Sequence, residues 1–172
     1  MAIQNYLANW VQSITDAVSC ITGIREHFLQ NTVNVLSSDN NTSTYIVFKN
    51  VPFNARFRSI HIENDALTSG TSYSLGIFDS QTGAAIAANA LANAFNLTVA
   101  HSKYQNTTAA NSALDGLAAL THDNSLQPLY QIAGLTFAQG AAKGTLDIVM
   151  TANAAGSTTG KVTFRAELLP PG

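Results

Sequence analysis

Charge is scarce in this sequence. Only 10 % of its 172 residues are Asp, Glu, Lys or Arg, against roughly a quarter in an ordinary globular chain. Ten acidic and eight basic side chains leave a formal net charge of −2 at pH 7. A phosphate backbone requires clustered Lys and Arg, yet apart from the pair Arg56 and Arg58 the cations stand alone, so no nucleic-acid partner is expected. Cys20 is the only cysteine, which excludes an intrachain disulfide and allows folding in a reducing cytoplasm. No apolar run reaches the roughly 18 residues of a membrane span, and no basic region precedes an apolar stretch near the start. The chain is therefore expected neither to be exported by a signal peptide nor to enter a membrane. Four prolines are too few to build a linker, so one domain with an N-terminal arm is expected.

Apolar residues are plentiful by contrast. They form 46 % of the chain, which excludes intrinsic disorder and allows a core that buries roughly 70 % of the unfolded surface without disulfide or metal. The remaining surface, rich in Asn, Ser, Thr, Gln and Ala, opposes dense self-assembly only weakly.

Near the start, Ile3, Tyr6, Leu7, Trp10, Val11, Ile14, Ala17, Val18 and Ile21 recur at spacings of three and four with polar residues between them. This spacing predicts an amphipathic helix closing near Gly23. Such a helix either packs on its own domain or serves as an arm that docks on a neighbouring subunit. In the second role Ile3, Tyr6, Leu7, Trp10, Val11 and Ile14 form the assembly interface, because bulky aromatics enrich interface cores. Its polar face carries no Lys or Arg to meet anionic lipid.

From about residue 32 the period falls to two. Tyr45-Ile46-Val47-Phe48, Ile60-His61-Ile62, Tyr73-Ser74-Leu75-Gly76-Ile77 and Leu146-Asp147-Ile148-Val149-Met150 read as strands. In Lys161-Val162-Thr163-Phe164-Arg165-Ala166-Glu167-Leu168 the alternation is complete, predicting Val162, Phe164, Ala166 and Leu168 inside. Turn-forming clusters at 38–41, 51–54, 68–70, 80–83 and 154–157 separate the runs. The expected fold is mainly β, an antiparallel sandwich or jelly roll over residues 31–172, with a helical arm at 1–30. Residues 84–95 are Ala-rich, with Ile86, Ala90, Leu91 and Phe95 at helical spacing, and residues 111–120 repeat that character. Both predict short helices in an excursion between strands, with 96–110 as a polar surface loop.

Chemistry is hard to find. His27, His61, His101 and His122 have no second ligand at a metal-binding spacing, so neither metal nor cofactor is expected. Cys20 lies on an apolar helix face, no Gly-x-Ser-x-Gly elbow occurs, and Gly70, Gly76 and Gly83 are too dispersed to cradle a phosphate. Glu63 and Asp65 lie close together; either, with a distant acid, could form a glycosidase pair, and with Asn64 they could form a weak calcium site, but turn capping by Asp65 is the stronger reading. An enzyme is not expected. Function should reside in surfaces.

The run Val51-Pro52-Phe53-Asn54-Ala55-Arg56, the strand that ends in Asp65-Ala66-Leu67, and Leu75-Gly76-Ile77-Phe78-Asp79 together resemble a pattern in small virion proteins of tailed bacteriophages. That pattern is a strand, a P-x-x-A-R turn, a D-A-L strand end and an L-G-I/V-x-D strand before an Ala-rich excursion. It covers residues 43–80 and 145–168. The resemblance implies a capsid cement or decoration protein with a jelly-roll or sandwich domain, bound to the major capsid protein and to copies of itself, often as a homotrimer. It also implies a virion location on the head surface after synthesis in the host cytoplasm, and it carries no catalytic residues. A sandwich-type recognition module, such as a head fibre or tail component that binds glycan or a host surface, is the alternative. That role needs a row of exposed aromatics, and Tyr104, Tyr130 and Phe137 stand far apart in the sequence.

Overall fold

A computed structural model describes residues 27–98, 100–106 and 127–169. Among them are eight strands: β1 (His27–Val35), β2 (Thr44–Pro52), β3 (Arg56–Asn64), β4 (Ser72–Asp79), β5 (Ala85–Asn96), β6 (His101–Asn106), β7 (Thr145–Ala154) and β8 (Gly160–Leu169). Two short helices, α1 (Leu129–Ile132) and α2 (Phe137–Lys143), precede β7. The strands form two four-stranded sheets, ordered β1-β8-β3-β6 and β2-β7-β4-β5. Every ladder is antiparallel.

The pairing has a simple rule. β1 pairs with β8, β2 with β7, β3 with β6 and β4 with β5. This is one long antiparallel hairpin with its tip at the β4–β5 turn, rolled until β3 meets β8 and β4 meets β7. That winding is the jelly roll, so the expected β-sandwich is the observed fold. Its inner faces supply the core.

β8 shows how the sequence selects the register. Val162, Phe164 and Ala166 are wholly buried and Leu168 nearly so, while Lys161 is exposed. A slip by one residue would invert that pattern and expose Phe164, so burial holds the register. β4 and β7, central in the other sheet, contribute Tyr73, Leu75, Ile77, Leu146, Ile148 and Met150 to the same core.

The structure corrects three expectations. Residues 84–95 are not a helix; nearly all belong to β5. Alanine's helical preference amounts to only tenths of a kcal/mol per residue, less than the burial of Leu91, Ala92 and Phe95 on pairing with β4. The strand hides its period because it is bulged: five steps along β5, from Ala87 to Ala92, oppose two along β4, from Ile77 to Leu75. The bulge crosses Gly76, where a Cβ would overlap the Ala88 carbonyl. Second, the loop expected at 96–110 contains β6, whose ladder with β3 is made by backbone groups. Third, β1 begins at His27, so residues 27–30 pair with β8 and belong to the sheet rather than to the arm. The expected helix at 3–21, with Cys20, and that at 111–120 lie outside the described residues. The helical excursion that is described is α1 and α2.

Candidate functional site

Both helices lie at one end of the sandwich, and their positions follow from local bonds. Leu129 N–H donates to the Ala55 carbonyl at 2.8 Å and Tyr130 N–H to the Phe53 carbonyl at 2.9 Å, which fastens α1 to the Pro52-Phe53-Asn54-Ala55-Arg56 turn. Thr136 and Gln139 form a capping box: Gln139 N–H donates to Thr136 Oγ1 at 3.3 Å, and Thr136 N–H donates to Gln139 Oε1 at 2.9 Å. This sets Phe137 at the first position of α2. Gly140 lies one turn further on, where a Cβ would come within 2.7 Å of the Phe53 ring and 2.8 Å of Tyr130 Cβ. Only glycine lets α2 approach so closely.

The result is a cluster of three rings. Centroids lie 5.9 Å apart for Phe53 and Tyr130, 5.5 Å for Phe53 and Phe137, and 5.8 Å for Tyr130 and Phe137. Interplanar angles of 46°, 66° and 85° are tilted or edge-to-face, the favourable arrangement for aromatic quadrupoles. Phe53 packs on the core, whereas Phe137 is 62 % exposed, the largest exposure among the big apolar side chains described. Tyr130 and Phe137, dispersed in the sequence, are thus brought together, with Phe53 as their third member. The side chain of Tyr104 lies outside the described residues.

α2 is anchored at its other end by charge. Asp79 Oδ2 accepts from Lys143 Nζ at 2.5 Å, and Asp79 Oδ1 accepts from Gln81 N–H at 2.9 Å and Thr82 N–H at 3.4 Å. The hydrogen bond from Lys143, then those from the Gln81 and Thr82 amides, hold the Asp79 carboxyl down at about 2, against an ordinary value of 3.8. The folded state therefore keeps a charge that the unfolded chain loses first on acidification. Its stabilisation is complete above the unfolded value and disappears as pH falls through about 2. In thermal melts, wild type should exceed Asp79→Asn at neutral pH, and the gap should close as pH falls from about 4 towards 2. A gap independent of pH would remove the clamp.

Other ionisable groups serve the fold. Tyr45 and Tyr73, at the opposite end, donate through their hydroxyls to Asp39 Oδ2 at 2.5 and 3.2 Å. Burial first, then the hydrogen bond to Asp39, pushes the Tyr45 hydroxyl up to about 12, and burial with Asp39 raises Tyr73 as well. Both hydroxyls stay protonated through neutral pH. Asp147 is buried in β7, and desolvation raises its pKa, opposed by the Asn50 N–H it accepts at 2.7 Å. That bond supports the bulge in β2 where Asn50 takes a positive φ of 56°.

The residues singled out for chemistry disperse. Asp65 exchanges bonds with Lys161: its N–H donates to the Lys161 carbonyl, and its Oδ2 accepts from Lys161 N–H, each at 2.9 Å. Asn64 turns inward and donates its amide to the Asp65 and Leu97 carbonyls, away from Glu63 on the other face. His61 faces opposite Ile60 and Ile62, as the alternation predicts, and its Nε2 lies 3.0 Å from Ser59 Oγ. His27 and His101 stand in β1 and β6, and His122 is outside the described residues. Among the described residues no three His, Cys, Asp or Glu converge, and no helix is long and apolar enough to cross a membrane. The six residues of the expected assembly interface, Ile3, Tyr6, Leu7, Trp10, Val11 and Ile14, also lie outside the described residues.

No protein-family model and no curated protein matches the chain. A chain from a solved structure described as the cyanophage Pam1 capsid asymmetric unit has the same fold. The two superpose with a TM-score of 0.52 over 87 % of each chain, at 16 % sequence identity. At that identity the likeness is one of fold.

Proposed function

We propose that this chain is a structural protein of a bacteriophage virion, a cement or decoration protein that binds the assembled head shell through protein–protein contacts. The observation that carries the reading is the jelly roll shared, over nearly the whole domain, with a chain of a cyanophage capsid unit. The sparse charge supports it, because many copies can lie side by side with little repulsion. So does the resemblance of the Pro52–Arg56 turn and the Leu75–Asp79 strand to small phage virion proteins. Its partners are the major capsid protein and other copies of itself, with a trimer favoured, since shell-cementing proteins of this kind often occupy threefold positions. The location is the head surface, after synthesis in the host cytoplasm. The role requires no catalytic centre, cofactor or metal.

The three-ring cluster favours one other reading, a recognition module that stacks a sugar on its aromatic face. Flat stacking needs coplanar exposed rings, however, and these rings cross at 46° to 85° with only Phe137 well exposed. Shell binding is the better fit. Purified chain mixed with assembled shells should co-sediment with them and raise their resistance to heat, because a ligand of the assembled state stabilises it by mass action. Equal binding to free capsid subunits, or binding to glycan in place of shells, would overturn the reading.

A further inference from the structure

The end of the sandwich that carries the aromatic cluster is also where the described chain enters. His27, the first residue of β1, stands opposite Leu168 of β8, and Phe57 of β3 stands opposite the same residue on the other side. Two strand spacings, about 10 Å, therefore separate His27 from Phe57. Phe57 lies four residues after Phe53, on the turn to which α1 is bonded. Residues 22–26 link Ile21 to His27, so Ile21 lies within about 20 Å of the start of β1.

The sequence up to Ile21 has what such a surface lacks. It carries an apolar stripe with Tyr6 and Trp10, and between residues 3 and 21 its single charge is Asp16. Covering the rings with that stripe costs little charge desolvation. Among the described residues, the four large apolar side chains left exposed are Phe28, Leu36, Ile46 and Phe137. Leu36 follows the far end of β1, and Ile46 sits near the start of β2, towards the same far end. Phe28 carries the Arg165 guanidinium, 4.6 Å from its ring centroid. Phe137, still mostly exposed despite its contacts with Phe53 and Tyr130, remains as the large apolar surface at the entry end among the described residues. A short tether holds the stripe at an effective concentration on the order of millimolar, well above the micromolar level of a second copy.

We propose that the amphipathic N-terminal segment docks on the Phe53–Tyr130–Phe137 cluster of its own chain. The cluster and the stripe, the latter also a candidate for contacting a neighbouring subunit, are then partners of one another in the free protein. This inference is independent of the virion reading, since it concerns the chain away from any shell.

Trp10 is the only tryptophan, so its fluorescence reports on the segment directly. In the full chain, free of shells, Trp10 emission should be blue-shifted and protected from acrylamide, unchanged on dilution. Phe137→Asp should shift the emission to longer wavelength and raise quenching to that of a Trp10 peptide, with the far-ultraviolet circular dichroism of the sheets retained. The fold should tolerate this variant, because Phe137 is largely exposed and aspartate suits the first turn of a helix. Leu36→Asp, at the far end, should leave the emission unchanged. A bis-maleimide joining Cys20 to a cysteine introduced by Ala141→Cys, an exposed position of α2 outside the capping box, should then give a product of monomer mass. Solvent-exposed Trp10 in the full chain, emission indifferent to Phe137→Asp, dilution-dependent emission, or cross-links of dimer mass would each overturn the proposal, the last two by assigning the surface to a second copy.

Discussion

Phe164→Ala is expected to lower the free energy of unfolding by about 3–5 kcal/mol, a large part of the total stability of a domain this size. Phe164 is wholly buried at the middle of β8, the central strand that pairs with both β1 and β3. Truncation removes a ring's worth of apolar burial and leaves a cavity that two flanking strands cannot close without breaking their own ladders. Its neighbour supplies the control. Thr163 faces outward and shares a 2.9 Å hydroxyl contact with Thr32, so Thr163→Ala should cost no more than about 1 kcal/mol. Urea titration of the two variants checks both values through the shift in midpoint at constant slope. A larger loss at Thr163 than at Phe164 would show that the register of β8 is inverted.

Gly76→Ala should be the second severe change, although it adds only one carbon. The Cβ would overlap the carbonyls of Ala87 and Ala88, which belong to backbone and cannot swing aside as a side chain would. Relief requires the β5 bulge to lift from β4, at a cost of about 1–3 kcal/mol or more. The effect should be local as well as large. Hydrogen exchange in β5 should accelerate, because its bonds to β4 are the ones displaced. Gly83→Ala provides the contrast: nothing lies within 4 Å of a Cβ there, so the φ of 70° alone opposes it, at about 1–2 kcal/mol. Exchange in β5 that is unchanged by Gly76→Ala would mean that the bulge does not press on Gly76.

The fold was legible where β-branched and aromatic residues run between turn clusters, as in β4 and β7, which are buried on both faces, and most sharply where one strand face is wet and the other dry. β8 alternates without a fault, and the runs around Tyr45, Ile60, Tyr73 and Leu146 all fall within strands. β5 was illegible because its bulges break the period of two, while its alanines place Ile86, Ala90, Leu91 and Phe95 at helical spacing. β6 was illegible for another reason. His101-Ser102-Lys103-Tyr104-Gln105-Asn106 has one large apolar side chain, and an edge strand held by a single ladder needs little more than its backbone.

The site was less legible than the fold. Phe53 is separated from Tyr130 and Phe137 by most of the domain, and only the rolled hairpin returns the later pair to the turn after β2. The local signals that mark the surface are the Thr136-x-x-Gln139 capping box, which sets Phe137 at the head of α2, and Gly140, whose missing Cβ admits the rings. Neither identifies a partner. The expectation that chemistry would be hard to find rested on spacing, and of the two acidic residues considered for it Asp65 ties the end of β3 to Lys161 of β8, while Glu63 lies on the face opposite the inward-turned Asn64.

The measurement that tests the virion assignment most directly is the copy number of this chain in purified particles from its source. Quantitative mass spectrometry would compare it with the major shell protein and with the soluble fraction of the same lysate. A structural role on the head predicts a fixed, stoichiometric ratio to the shell protein that persists through density-gradient purification. A chain that stays in the soluble fraction, or falls to trace level as the particles are purified, would contradict it.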